Sequence, residues 1–207
     1  RSSDLSDLSV SSDNLTFTYE AKSLPYPIDT SYYDNEKHTQ ADALSVIPFM
    51  DEMNYEGLSV SGLSDGYYGL TIGGEFIGRF TARELERGIN MALLQNTPQY
   101  KQAMKIRQMN EERWLKERKM REFYWVEYNL MRKTGMLWAC NEAAVDTLRK
   151  YRPHDIFLQW NGALWLQYMH KGIREDCVNE QQDLVNQIYE QNKPIPLQIE
   201  IKKFTDL

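Results

Sequence analysis

What this sequence has little of narrows its chemistry first. Two cysteines, Cys140 and Cys177, are too few for a disulfide scaffold, and neither sits in a Cys-x-x-Cys metal or redox spacing. The sequence leaves open whether they pair with each other. Three histidines, His38, His154 and His170, are the whole supply, and none stands at an i, i+4 or His-x-His spacing, so neither a metal nor another cofactor is expected. Basic charge is in deficit: 24 Lys and Arg against 30 Asp and Glu leave a net charge of −6 and a pI near 5.2. A nucleic-acid surface needs a positive stripe to displace counterions, and this balance argues against one. No apolar run is long enough to span a bilayer and the mean hydropathy is −0.63, so no membrane span is expected. An initiator Met and an apolar leader are both missing, and Arg1-Ser2-Ser3-Asp4 reads as a cut end, natural or proteolytic. A phosphate-cradling glycine loop is missing too, because Gly73-Gly74 and Gly78 lie between strand-like segments rather than before a helix.

What is present is enough for a packed core. Of 207 residues, 42% are hydrophobic and 12% aromatic, which suits one large domain or two small ones. The periodicity divides near residue 96. In residues 1–96, Leu5 to Val10 and Leu15 to Tyr19 alternate around Ser11-Ser12-Asp13-Asn14, predicting a hairpin. Leu58 to Leu63 alternates as well, and Tyr67 to Ile72 with Glu75 to Phe80 flank Gly73-Gly74, a pair suited to the positive φ of a type I′ turn. A three-strand meander is expected there, with a short helix interrupted by Pro48 upstream of it. Residues 97–207 read as a helical bundle ending in a strand. Thr81 to Glu84 is a capping box, and Thr97-Pro98 opens a long helix running to about Lys133 and stopped by Gly135. Glu112/Lys116, Arg113/Glu117, Glu117/Arg121 and Arg118/Glu122 stand four apart on a solvated face, while Trp114, Phe123, Trp125, Tyr128 and Met131 are expected to be buried. Further helices are expected over 136–152, 155–171 and 173–191, with Cys177 on an apolar stripe. Leu197, Ile199 and Ile201 then alternate with polar residues as a closing strand. The fold class is α+β: a small antiparallel, sandwich-like β-domain followed by helices.

Candidate chemistry is sparse. Gly62-Leu63-Ser64-Asp65-Gly66 matches the Gly-x-Ser-x-Gly elbow, which lifts a nucleophilic hydroxyl only where a strand turns sharply into a helix. The segment that follows reads as a strand, so Ser64 is expected in an ordinary turn; an elbow would instead make the chain a serine esterase using Ser64 with His38 or His154 and Asp65 or Asp155. Asp155 reads better as a helix N-cap. Asp51-Glu52 and Glu111-Glu112 are adjacent on helices and diverge by about 100° per residue, so they do not share a site. Tyr67, Tyr68, Trp160 and Trp165 would carry the stacking of a carbohydrate-binding module, although aromatic residues in such elements mostly build cores. No residue is therefore assigned a catalytic, cofactor or metal role.

One resemblance rests on an ordered set of segments: Ser23-Leu24-Pro25-Tyr26-Pro27, Leu58 to Leu63, Gly69 to Thr81, Glu84 to Ala92, and Thr97-Pro98. Their order and glycine positions resemble the region that follows the catalytic domain in bacterial SGNH (GDSL-like) ester hydrolases, over roughly residues 14 to 120. The Gly-Asp-Ser nucleophile block of that family has no counterpart here. Its closing Asp-x-x-His pair is approached only by Asp34 to His38, one residue too long. The resemblance implies an accessory region whose catalytic domain lies upstream of Arg1, supporting that domain, its substrate cleft or an oligomer interface formed by the helices. It further implies a secreted or periplasmic hydrolase acting on an acylated carbohydrate.

Overall fold

A computed structural model describes residues 3–29 and 38–204. The first hairpin forms as expected: β1 (Ser3–Val10) and β2 (Asn14–Ala21) are antiparallel. Two single-turn helices, α1 (Gln40–Ala43) and α2 (Phe49–Glu52), flank Pro48. The expected strand over Leu58 to Leu63 shrinks to β3 (Gly57–Leu58). Its alternation is real, but Gly62 turns the chain at φ 80° and the Val60 N–H is spent on the Leu85 carbonyl at 2.9 Å, outside any sheet ladder. The hairpin of β4 (Tyr67–Ile72) and β5 (Glu75–Thr81) is present, with φ of 58° at Gly73 and 81° at Gly74, the left-handed pair that the turn demands. Beyond it come α3 (Ala82–Arg87), closed reciprocally by Thr81 and Glu84, and β6 (Ile89–Asn90), which pairs with β3.

The helical region starts with α4 (Pro98–Val126), which runs on through a π-helical turn at Glu127–Met131. Then follow α5 (Glu142–Tyr151), α6 (Ile156–Tyr168) and α7 (Lys171–Gln191). α5 begins later than the sequence implied. The Met136 N–H closes back onto the Met131 carbonyl at 2.7 Å, Trp138 takes φ 64°, and the Asn141 side chain then caps the helix through the Ala144 N–H. The closing strand, β7 (Leu197–Lys203), does not stand apart. It lies between β2 and β4, giving a five-stranded antiparallel sheet of order β1-β2-β7-β4-β5 beside the two-stranded β3-β6 ribbon. The meander is thus replaced: β4 pairs with β5 and with β7, not with residues 58–63.

Two compact units result, residues 1–107 with 191–207, and residues 108–190. In the first, Phe17, Tyr19, Tyr68, Leu70, Ile72, Ile199 and Ile201 form one buried face of the sheet, closed by Leu58, Leu85 and Met91. Each fully buried aliphatic side chain of this kind stabilises the fold by about 1.5–3 kcal/mol relative to exposure. In the second, Phe123, Val126, Met131, Leu148, Leu158 and Trp165 make a separate core. All four expected charge pairs along α4 form, from 2.7 Å for Arg118–Glu122 to 3.8 Å for Arg121–Glu117. Of the aromatic residues expected inside, Phe123 is buried, Trp125 is partly buried, and Trp114 and Tyr128 are exposed. Trp114 instead lies beneath the Arg121 guanidinium, 5.8 Å from its ring centre. Among the described residues no helix is long and apolar enough to cross a membrane, and no cluster of three or more His, Cys, Asp or Glu gathers as for a metal.

Candidate functional site

Ser64 lies in the loop between β3 and β4, and the residues after it enter a strand. The helix whose N-terminus would aim an N–H at an oxyanion is therefore missing, and the elbow with it. The hydroxyl is occupied in another way: Lys203 Nζ donates to Ser64 Oγ at 2.7 Å, Tyr68 Oη lies 3.1 Å from Ser64 Oγ, and Tyr68 Oη donates to the Ser64 carbonyl at 2.9 Å. The Lys203 contact ties this loop to β7. His154 and Asp155 fall in the other compact unit. Asp155 is the N-cap of α6, its Oδ1 accepting from Phe157 N at 2.8 Å and Leu158 N at 3.2 Å, as its sequence position implied. His38 is described just before α1, while the Asp34 of the incomplete Asp-to-His block lies outside the described residues.

The remaining candidates separate as readily. Cys177 is buried in the helical core and Cys140 is exposed, and both are free thiols, so they do not bridge. Burial first, then the adjacent Cys177 sulfur, pushes the Tyr168 phenol up to about 12, which keeps it a neutral core group. The four stacking aromatics do not assemble a platform. Tyr68 and Trp165 are buried, and one face of the exposed Tyr67 is covered by the Arg79 guanidinium at 4.0 Å. Trp160 stays exposed in the helical unit, edge-on to Phe157. A cleft of about 370 Å³ in the same unit has walls that include Trp125, Asn129, Lys133, Tyr151, His154 and Asp155, so a candidate histidine and a candidate carboxylate line one cleft. There Asp155 Oδ1 caps α6.

The groups that sequence reasoning passed over are polar and buried or half-buried, and they position backbone. Asn90 Oδ1 accepts from Glu56 N at 2.9 Å and Ala92 N at 3.1 Å, while its Nδ2 donates to the Met50 and Asn54 carbonyls. Asn54 exchanges two bonds of 2.9 Å with the Tyr26 backbone. Tyr100 Oη donates to Ile28 O and accepts from Ile28 N. These bonds tie together Pro25-Tyr26-Pro27, the Glu84 to Ala92 run, and the helix opened by Thr97-Pro98. In the helical unit Glu127, on the π-turn, accepts from Trp165 Nε1 and from Trp138 N, each at 2.8 Å, and so fixes the loop before α5. An Asn two residues past the glycine that ends a short helix was the available signal for Asn90; nothing local marks Glu127, which looks in sequence like any other acidic residue of a charged helix.

Residues 104–193 match the family described as the diltiazem deacetylase C-terminal helical domain. No curated protein matches this chain. A solved structure described as a gut microbial diltiazem-metabolizing enzyme is 35% identical and superposes with a TM-score of 0.89 over 98% of this chain and 46% of its own. The chain is thus similar along nearly its whole length to about half of that enzyme, and its helices carry the pattern of a diltiazem deacetylase C-terminal helical domain.

Proposed function

We propose that this chain is the non-catalytic accessory half of an SGNH-type ester hydrolase, with the nucleophile, oxyanion donors and acid–base histidine supplied by a catalytic domain that precedes it. The observation that carries the reading is one of proportion: a chain matched over 98% of its length accounts for 46% of a drug-metabolizing relative. The chemistry is in keeping with it. Ser64 is held by Lys203 and Tyr68, His154 and Asp155 lie in a different compact unit, and the segments resembling the SGNH family are joined by scaffold bonds through Asn54, Asn90 and Tyr100. The accessory half supports the catalytic domain and contributes to the setting of its substrate cleft. The substrate class is an acyl ester, the bond type that a deacetylase cleaves.

The test is ester hydrolysis by two preparations, this 207-residue chain and the product of the complete coding sequence. With an activated aryl acetate as substrate, the longer protein turns over and the chain alone runs at the buffer rate. Turnover by the chain that disappears in Ser64→Ala would overturn the reading.

A further inference from the structure

Strand β1 continues the apolar face of the sheet past the point where any of the described residues covers it. Directly paired residues of antiparallel strands share a face. Leu5 pairs with the buried Tyr19, and Val10 with Leu15, which packs on the core. Leu5 and Val10 thus belong to the core face, yet they are 66% and 70% exposed, and Leu8 is 67% exposed. Together they form one wall of a cleft of about 480 Å³ whose other walls include Leu58, Val60 and Met91. The same strand is an open edge among the described residues, where β1 pairs only with β2. An eight-residue edge strand with an uncovered apolar face is the arrangement that free-standing proteins suppress with charge, bulges or a covering element. Here the bulge at Asp7, φ 54°, is present, but its carboxylate is drawn back onto Thr18 Oγ1 at 3.0 Å and Ser6 Oγ at 3.2 Å, so it does not screen the leucines.

We infer that this β1 face is the docking surface for the catalytic half of the hydrolase, an inference that rests on the function proposed above. The occupant is identified by what is left over: this chain covers 46% of a solved relative that it matches at a TM-score of 0.89, so a partner of comparable size belongs to the same polypeptide in that relative. Its chemistry follows from the surface. An apolar ridge fills the cleft beneath Leu5, Leu8 and Val10, whose walls also include the polar Ser59 and Ser61. A hydrophobic surface with a polar rim is the usual anatomy of such a junction.

The experiment places a single reporter thiol at the centre of the face: Leu8→Cys in a Cys140→Ser background, with the buried Cys177 left in place. Maleimide labelling is followed by mass in the 207-residue chain and in the product of the complete coding sequence. Because Leu8 is exposed, the replacement leaves the core intact, and unchanged circular dichroism verifies this. The inference expects fast labelling in the chain and at least tenfold slower labelling in the longer protein. Equal rates in both, in a longer protein that still hydrolyses esters, overturn the docking surface and leave the proposed function standing. Protection in a longer protein without hydrolase activity upholds the surface and removes the function. Concentration-dependent protection in the chain itself, with a dimer in sedimentation, assigns the face to a second copy and overturns the inference.

Discussion

The two compact units reach stability by different routes. In residues 1–107 with 191–207, the sheet is assembled from strands far apart in sequence, with β7 between β2 and β4, and its loops are held by side chains such as Asn90 that serve several backbone groups at once. In residues 108–190, most bonds are local to a helix, and the long-range work falls on the aromatic core and on one buried carboxylate, Glu127. The first unit should therefore fail when a polar staple is lost. The second should fail when packing is lost.

That contrast can be broken at graded strength. Truncating a fully buried aromatic removes transfer energy and leaves a cavity, so Phe123→Ala should destabilise the helical unit by about 3–5 kcal/mol. Hydrogen exchange should show lost protection in α4 to α7 with β2, β7 and β4 unchanged. Asn90→Ala leaves four backbone partners to find water or nothing, and a loss of about 2–4 kcal/mol is expected in the sheet unit. Exchange should then rise around Met50 to Glu56 and Met91 while Trp165 keeps its native fluorescence. A comparable effect of Asn90→Ala on both units would erase the distinction.

Smaller changes sharpen it. Removing the α3 cap with Thr81→Ala should cost about 1 kcal/mol. The Glu84 carboxylate is held below its ordinary value of 4.5, first by the Thr81 backbone N–H and then by its hydroxyl. A carboxyl lowered on folding stabilises fully above its unfolded value and loses that contribution as the pH falls through the lowered one. Stability measured from pH 5 down to pH 3 should therefore fall more steeply in the wild type than in Glu84→Gln. At the bottom of the scale, Arg118→Ala removes an exposed i, i+4 pair with Glu122 and should change unfolding by less than about 0.5 kcal/mol, an effect that vanishes in high salt.

The same division governs what the sequence made legible. Local rules held where the structure is local: Gly73-Gly74 at the β4–β5 turn, the Thr81 and Asp155 caps, and the charge ladder of α4. Alternation located β7 and its buried face, but its neighbours β2 and β4 are set by pairing over more than a hundred residues, which no periodicity records. Alternation also misled at Leu58 to Leu63, where a left-handed Gly62 and the Val60 bond to Leu85 outweigh strand propensity. For Ser64 the strand that follows it was readable and excluded an elbow, whereas its contacts with Lys203 and Tyr68 depend on the sheet order. Asn54 and Glu127 escaped because a buried polar residue is spelled like an exposed one.

The central claim is that this chain holds no working nucleophile of its own. Its most direct test is incubation of the 207-residue chain with a fluorophosphonate and measurement of intact mass, with the product of the complete coding sequence treated in parallel. The account predicts an unmodified chain and a single adduct on the longer protein, mapped to a serine before Arg1. An adduct on the chain at Ser64, abolished in Ser64→Ala, would contradict it.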